Sequence, residues 1–208
     1  MRQRVLRPIA VLITGFIAAC THQPVSIDTG TIIPLYQAGE IAPLGVPESR
    51  VFFEDTGETI IFNVSDPSLE LYRPKPGTAS RAAVIIAPGG GFVGLAYEEG
   101  AAAIARRLAA HGVTAFVLKY RTIESEADPM TLPAVHIEEM MALMQRDPKD
   151  EVAEIPAFTG EATAVEDGAR AIELIRQRAD EWDIDPDKVG MLGLSAGAFL
   201  AAKLAIGE

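Results

Sequence analysis

Cysteine occurs once in the 208 residues, at Cys20, so an intrachain disulfide is excluded. Basic residues are scarce too: 18 Lys and Arg stand against 29 Asp and Glu, for a net charge of −11. Binding to a phosphate backbone draws its affinity from clustered Lys and Arg, so no nucleic acid partner is expected. No apolar run reaches the length needed to span a bilayer. Neither an internal repeat nor a low-complexity tract is present, which argues against fibrous and disordered chains. What is there, 49% hydrophobic residues with 6% aromatics, suits one ordinary globular α/β domain.

The N-terminus places Arg2, Arg4 and Arg7 ahead of the apolar run Ile9 to Ala19. That order predicts a signal peptide over residues 1–19. The run ends Ile17-Ala18-Ala19-Cys20, which resembles the lipobox of bacterial lipoproteins, where small residues admit the peptidase and the cysteine sulfur receives a diacylglycerol. The resemblance implies an exported protein held in the cell envelope by lipid on Cys20. Several acyl chains on one N-terminus anchor stably where one would be marginal. Thr21 stands where an inner-membrane retention signal would have Asp, which favours the outer membrane if the source is Gram-negative. The plainer alternative is a free thiol ending an ordinary signal peptide. Removing 1–19 takes three Arg and no acid from a chain of net −11, leaving −14.

From Thr21 to Arg50, Pro24, Pro34, Pro43 and Pro47 with few charges predict an extended tether behind Cys20, and the domain is expected to begin near Val51. Thr59–Val64 and Leu69–Tyr72 read as antiparallel opening strands around an Asp66-Pro67 turn. Ala82–Ala87 is a continuous apolar run of the kind buried on both faces of a parallel sheet. A helix follows over Tyr97–Ala110, then a buried strand over Val113–Leu118. Residues 122–160 are longer than a normal connection and form an insertion or cap. Inside it a short helix is predicted over Ala134–Gln145, with Ile137, Met141 and Met144 on one face. Apolar spacing over Glu161–Trp182 gives another helix, followed by a strand at Lys188–Leu194 and a helix at Ala196–Ala205. This alternation calls for a mainly parallel sheet covered by helices.

Two glycine turns carry the chemistry. Gly193-Leu194-Ser195-Ala196-Gly197 follows a strand and opens a helix, the context in which a serine is held in a strained turn and glycines two positions either side relieve Cβ clashes. The second turn, Pro88-Gly89-Gly90-Gly91-Phe92, ends the Ala82–Ala87 strand. When a serine attacks an ester carbonyl the resulting oxyanion needs fixed backbone N–H donors, and Gly90, Gly91 and Ala196 are the natural candidates. A rival pattern overlaps it, because Gly89 to Gly94 also fits the GxGxxG dinucleotide fingerprint. An acidic ribose ligand should then lie about twenty residues on, where the chain reads Leu118-Lys119-Tyr120-Arg121.

Together PGGGF at 88–92, EEG at 98–100, LKYR at 118–121, EDGARAIELIR at 166–176 and DIDPDKVGMLGLSAG at 183–197 resemble the α/β-hydrolase superfamily, and within it bacterial esterases and lipases that include carbohydrate acetyl and feruloyl esterases. The resemblance spans Thr59 to Ala205. It implies a three-layer α/β sandwich, a carboxylic ester hydrolase acting on a small ester or an acylated carbohydrate, a Ser195 nucleophile, and no metal or organic cofactor. It also implies an acid and a histidine following the serine. Neither partner is found here: His22, His111 and His136 all precede Ser195, and the acids after it reduce to the terminal Glu208. His111 is expected to cap its helix, and Asp167 to be structural. The expectation is therefore an incomplete domain, 51–208, truncated after the elbow strand and helix, with an apolar sheet edge left open. The alternative from another class is a catalytically inactive envelope lipoprotein that uses the scaffold for binding.

Overall fold

A computed structural model describes residues 29–126, 131–146 and 157–207. Cys20, His22 and the expected signal peptide lie outside the described residues. The main sheet has five strands: β1 (Thr29–Pro34), β4 (Ser68–Tyr72), β5 (Ala83–Ala87), β7 (Thr114–Lys119) and β8 (Val189–Gly193). They lie in the order β1-β4-β7-β5-β8. β7, β5 and β8 run parallel, while β1 and β4 join antiparallel. The apolar runs of β5 and β7 account for their central places, because strands covered on both faces need apolar residues in every position. Ile85, Ile86, Phe116, Val117 and Leu118 are fully buried.

Helix α1 (Ala103–Ala110), entered through a π-helical turn at Tyr97–Ala102, packs on β7 and β4. Helices α3 (Glu161–Gln177) and α4 (Ala196–Ile206) pack on β5, β8 and each other. The chain moves from β5 to β7 in one direction and from β7 to β8 in the other. Right-handed crossovers then put α1 and the α3/α4 pair on opposite faces, which makes the three layers. α3 and α4 meet at Gly168, where a Cβ would strike Leu200 and Leu204 at 2.9 and 2.8 Å. Helix α2 (Ala134–Met144) lies in the expected insertion.

Two expectations are corrected. Thr29–Pro34, assigned to the tether, is an edge strand of the main sheet; Ile33 and Leu35 are buried, and Leu35 N–H donates to Pro67 O at 3.1 Å. The ordered structure thus extends N-terminal to Val51. An edge strand tolerates Pro34 because its outer side needs no ladder bond. The expected hairpin of Thr59–Val64 with Leu69–Tyr72 does not form. β3 (Glu58–Phe62) instead joins β2 (Ser49–Phe53) and β6 (Gly94–Ala96) in a small antiparallel sheet. Asn63, at φ 57°, turns the chain between the two sheets, and its side-chain oxygen accepts from Ser125 N–H and Oγ at 2.7 and 3.1 Å.

Candidate active site

The site forms where the C-terminal ends of β5 and β8 lie side by side. Leu194 N–H donates to Ala87 O at 3.0 Å, which ties the serine turn to the end of β5. Ser195 itself sits at φ 50°, ψ −117°, a region that costs about 1–3 kcal/mol for a residue other than glycine. The glycines around it are dictated by contact. A Cβ on Gly197 would overlap Ala87 O and come within 2.7 Å of Pro88 O; one on Gly193 would overlap Gly197 O. A Cβ on Gly89 would lie 3.0 Å from Leu194 O and 3.2 Å from Ser195 Cβ. The two glycine turns therefore pack backbone on backbone, leaving Ser195 exposed at the head of α4.

The loop after β5 is held by hydrogen bonds and ring contacts. Gly90 lies at φ 133° and Gly91 at φ 65°. Val93 and Gly94 N–H groups donate back to Gly90 O at 3.1 and 3.0 Å. Tyr120 O–H, fully buried, donates to Pro88 O at 2.7 Å. Burial raises the phenol's pKa, keeping it a donor. Phe92, at φ 61°, is locked against Tyr120 and Phe158 with ring centroids 6.2 and 6.0 Å apart. Among the described residues the N–H groups of Gly90, Gly91 and Ala196 donate to no partner. One cleft is lined by Ser195, Ala196 and Gly91, and Gly90 precedes Gly91 in the same loop. Cys20, the remaining expected site residue, lies outside the described residues.

The dinucleotide alternative fails on the third glycine. In that fingerprint it lets a helix pack closely on the strand. Here Gly94 opens β6, and its Cβ would meet Ile60 and Phe62 of β3.

Of the histidines, His111 ends α1, with Nδ1 2.8 Å from Arg107 O. It caps the helix as expected, at the edge of the sheet where the parallel strands begin, away from Ser195. His136 lies in the expected insertion, whose helix the sequence allowed to come near the serine turn. It is the buried residue of α2, 9% exposed, and packs on Gly91, where a Cβ would come within 2.8 Å of Nε2. Its Nδ1 is buried with no hydrogen-bond partner among the described residues. Burial pushes its pKa below the ordinary 6.5, outweighing the opposite pull of Glu139, so the ring is neutral near pH 7. The side of α2 toward the cleft carries His136, Leu143 and Met140, the last still 36% exposed, while Ile137, Met141 and Met144, expected to share one face, are more exposed.

Asp167 is structural, as expected, but its partners were not legible. It accepts from Arg121 N–H at 2.8 Å, Nε at 2.9 Å, and Tyr36 O–H at 3.0 Å. Arg121 also reaches Glu166 at 2.7 Å. Burial pushes the Asp167 carboxyl up against the pull of Arg121. Tyr36 is pushed up to about 12, by burial first and then by Asp167. The network pins the segment after β1 to α3 and to the end of β7.

The arrangement defines the α/β-hydrolase fold through its nucleophile-elbow strand and helix. Among family models, BD-FAE matches residues 157–208. No curated protein matches. The chain is similar to an acetyl ester-xyloside bifunctional hydrolase from Caldicellulosiruptor lactoaceticus, at 23% identity and a TM-score of 0.51, over 86% of this chain and 47% of that one. It is also similar to a hyperthermophilic esterase from Pyrobaculum calidifontis, at 23% identity and a TM-score of 0.44, over 81% of this chain and 40% of that one. A thermophilic esterase from the planctomycete Thermogutta terrifontis matches at 22% identity and a TM-score of 0.45, over 77% of this chain and 45% of that one. The chain spans about half the length of these structures.

Proposed function

We propose that the chain carries the nucleophile and oxyanion site of a serine carboxylic ester hydrolase. The observation that supports it is the exposed Ser195 at φ 50°, sharing a cleft with Gly91 and Ala196, whose N–H groups, like that of Gly90, have no partner among the described residues. In this reading Ser195 Oγ attacks the ester carbonyl and its proton passes to a base. The oxyanion accepts hydrogen bonds from Gly90, Gly91 and Ala196, and the alcohol leaves to give an acyl-serine. No base is assigned among the described residues, because His111 caps the far end of α1 and His136 is packed on Gly91. A signal peptide and a lipid on Cys20, which would hold the enzyme in the cell envelope, complete the proposal. Its support is the order of residues 1–20 alone.

The test is release of p-nitrophenolate from p-nitrophenyl acetate with acetylation followed by intact mass. An oxyanion site and binding retain about 10³–10⁴-fold catalysis over water without a complete triad, so acylation above the buffer rate is expected, and Ser195→Ala should abolish it. Equal acylation of wild type and Ser195→Ala would refute the assignment.

A further inference from the structure

The half-open cleft beside Ser195 and Ala196 is walled by Gly91, Phe92, Met140, Leu143, Phe158 and Phe199 and offers about 70 Å³. We infer that it is the acyl subsite of the proposed reaction, and that Met140 and Leu143 of α2 restrict it to short aliphatic acyl groups, excluding aromatic and long-chain ones. The inference rests on the ester hydrolase reading and names its substrate class. No wall residue carries a charge, so the cleft suits an alkyl group rather than the leaving alcohol of a sugar. Its size sets the limit: an apolar cavity of about 150 Å³ takes up one benzene, and this one has roughly half that room.

The walls differ in what can move. Phe92, Phe158 and Phe199 form one chain of ring contacts, with centroids 6.0 and 5.5 Å apart, and Phe92 is fixed further by Ile123 N–H donating to its carbonyl at 2.8 Å. These rings make the rigid back. Met140 and Leu143 come from a helix whose outer face is solvent-exposed; Met140 is itself partly exposed, so truncating it opens the cleft without emptying a packed core, whereas Leu143 also packs against the core's edge.

The test uses the full chain with p-nitrophenyl acetate, butyrate, octanoate and a hydroxycinnamate ester. In parallel, the ¹³C-methyl signal of Met140, assigned through Met140→Leu, is followed on adding butyramide or octanamide. One methylene in an apolar pocket is worth about 10-fold or more in kcat/KM, so butyrate should acylate at least about tenfold faster than octanoate. Leu143→Ala and Met140→Ala should bring that ratio toward one, and butyramide should shift the Met140 methyl. Equal or faster reaction of the octanoate or hydroxycinnamate ester overturns the inference, as does a ratio unmoved in both variants. No acylation by any ester, with the Met140 methyl still shifted by butyramide, refutes the hydrolase reading and upholds the pocket. No acylation and no shift refutes both.

Discussion

Gly197→Ala probes the contact that joins the two glycine turns. The added methyl would overlap Ala87 O and stand 2.7 Å from Pro88 O, and both obstacles are backbone at the end of the central strand β5. No side chain can swing away, so either α4 or the β5 loop must shift. Overpacking costs about 1–3 kcal/mol, and with only backbone to displace the upper end, about 3 kcal/mol, is expected. For a chain of this size each kcal/mol moves Tm by about 2–4 °C, which gives a loss of about 6–12 °C by circular dichroism or calorimetry. Gly190→Ala is the internal control, because a Cβ there meets nothing within 4 Å. Restricting the unfolded chain should make it neutral or up to about 1 kcal/mol more stable. Gly197→Ala melting within about 2 °C of wild type, or Gly190→Ala losing as much as Gly197→Ala, would refute the argument that the elbow is set by backbone contact.

Asp167→Ala strips Arg121 and Tyr36 of their shared acceptor and should cost about 3–5 kcal/mol, the usual penalty for orphaning half of a buried pair, read by urea denaturation. Tyr120→Phe removes the donor to Pro88 O; a loss of about 1–2 kcal/mol is expected, with slower acylation of Ser195 as the oxyanion loop loosens. The depressed pKa of His136 makes stability pH-dependent with a definite sign. Below 6.5 the unfolded chain binds a proton that the folded one resists, so stability should fall as pH drops through 6.5 toward the lowered folded value and level off above it. Urea titrations of His136→Gln should show that limb of the profile flattened.

The central layers were legible because their residues state their surroundings locally. Apolar runs placed β5 and β7, helical spacing placed α3 and α4, and each boundary fell within a residue or two of the expected one, apart from the 3₁₀ turn at Ala179–Trp182 that ends the expected α3 segment. The α2 helix was found as well, but its orientation was not, since it is apolar on most sides and periodicity could not say which side packs. β1 was missed because Gly30 and Pro34 give TGTIIP the look of a linker, and only pairing with β4 makes it a strand. β6 has three residues, too few for any period to register. Strand partners are long-range facts: nothing near Thr59 indicates that its neighbours are Phe52 and not the Leu69 strand. In the site, the GLSAG and PGGGF turns were visible because glycine there is sterically required. That a helix of the insertion could bring His136 toward the elbow was also legible, but its contact with Gly91 was not, since it depends on how that helix folds back.

The most direct test of the central claim is reaction of the folded chain with a fluorophosphonate, with the modified residue located by peptide mass spectrometry. The account predicts a single adduct on Ser195, lost in Ser195→Ala. A folded protein that stays unmodified, or one modified equally at other serines, would contradict it.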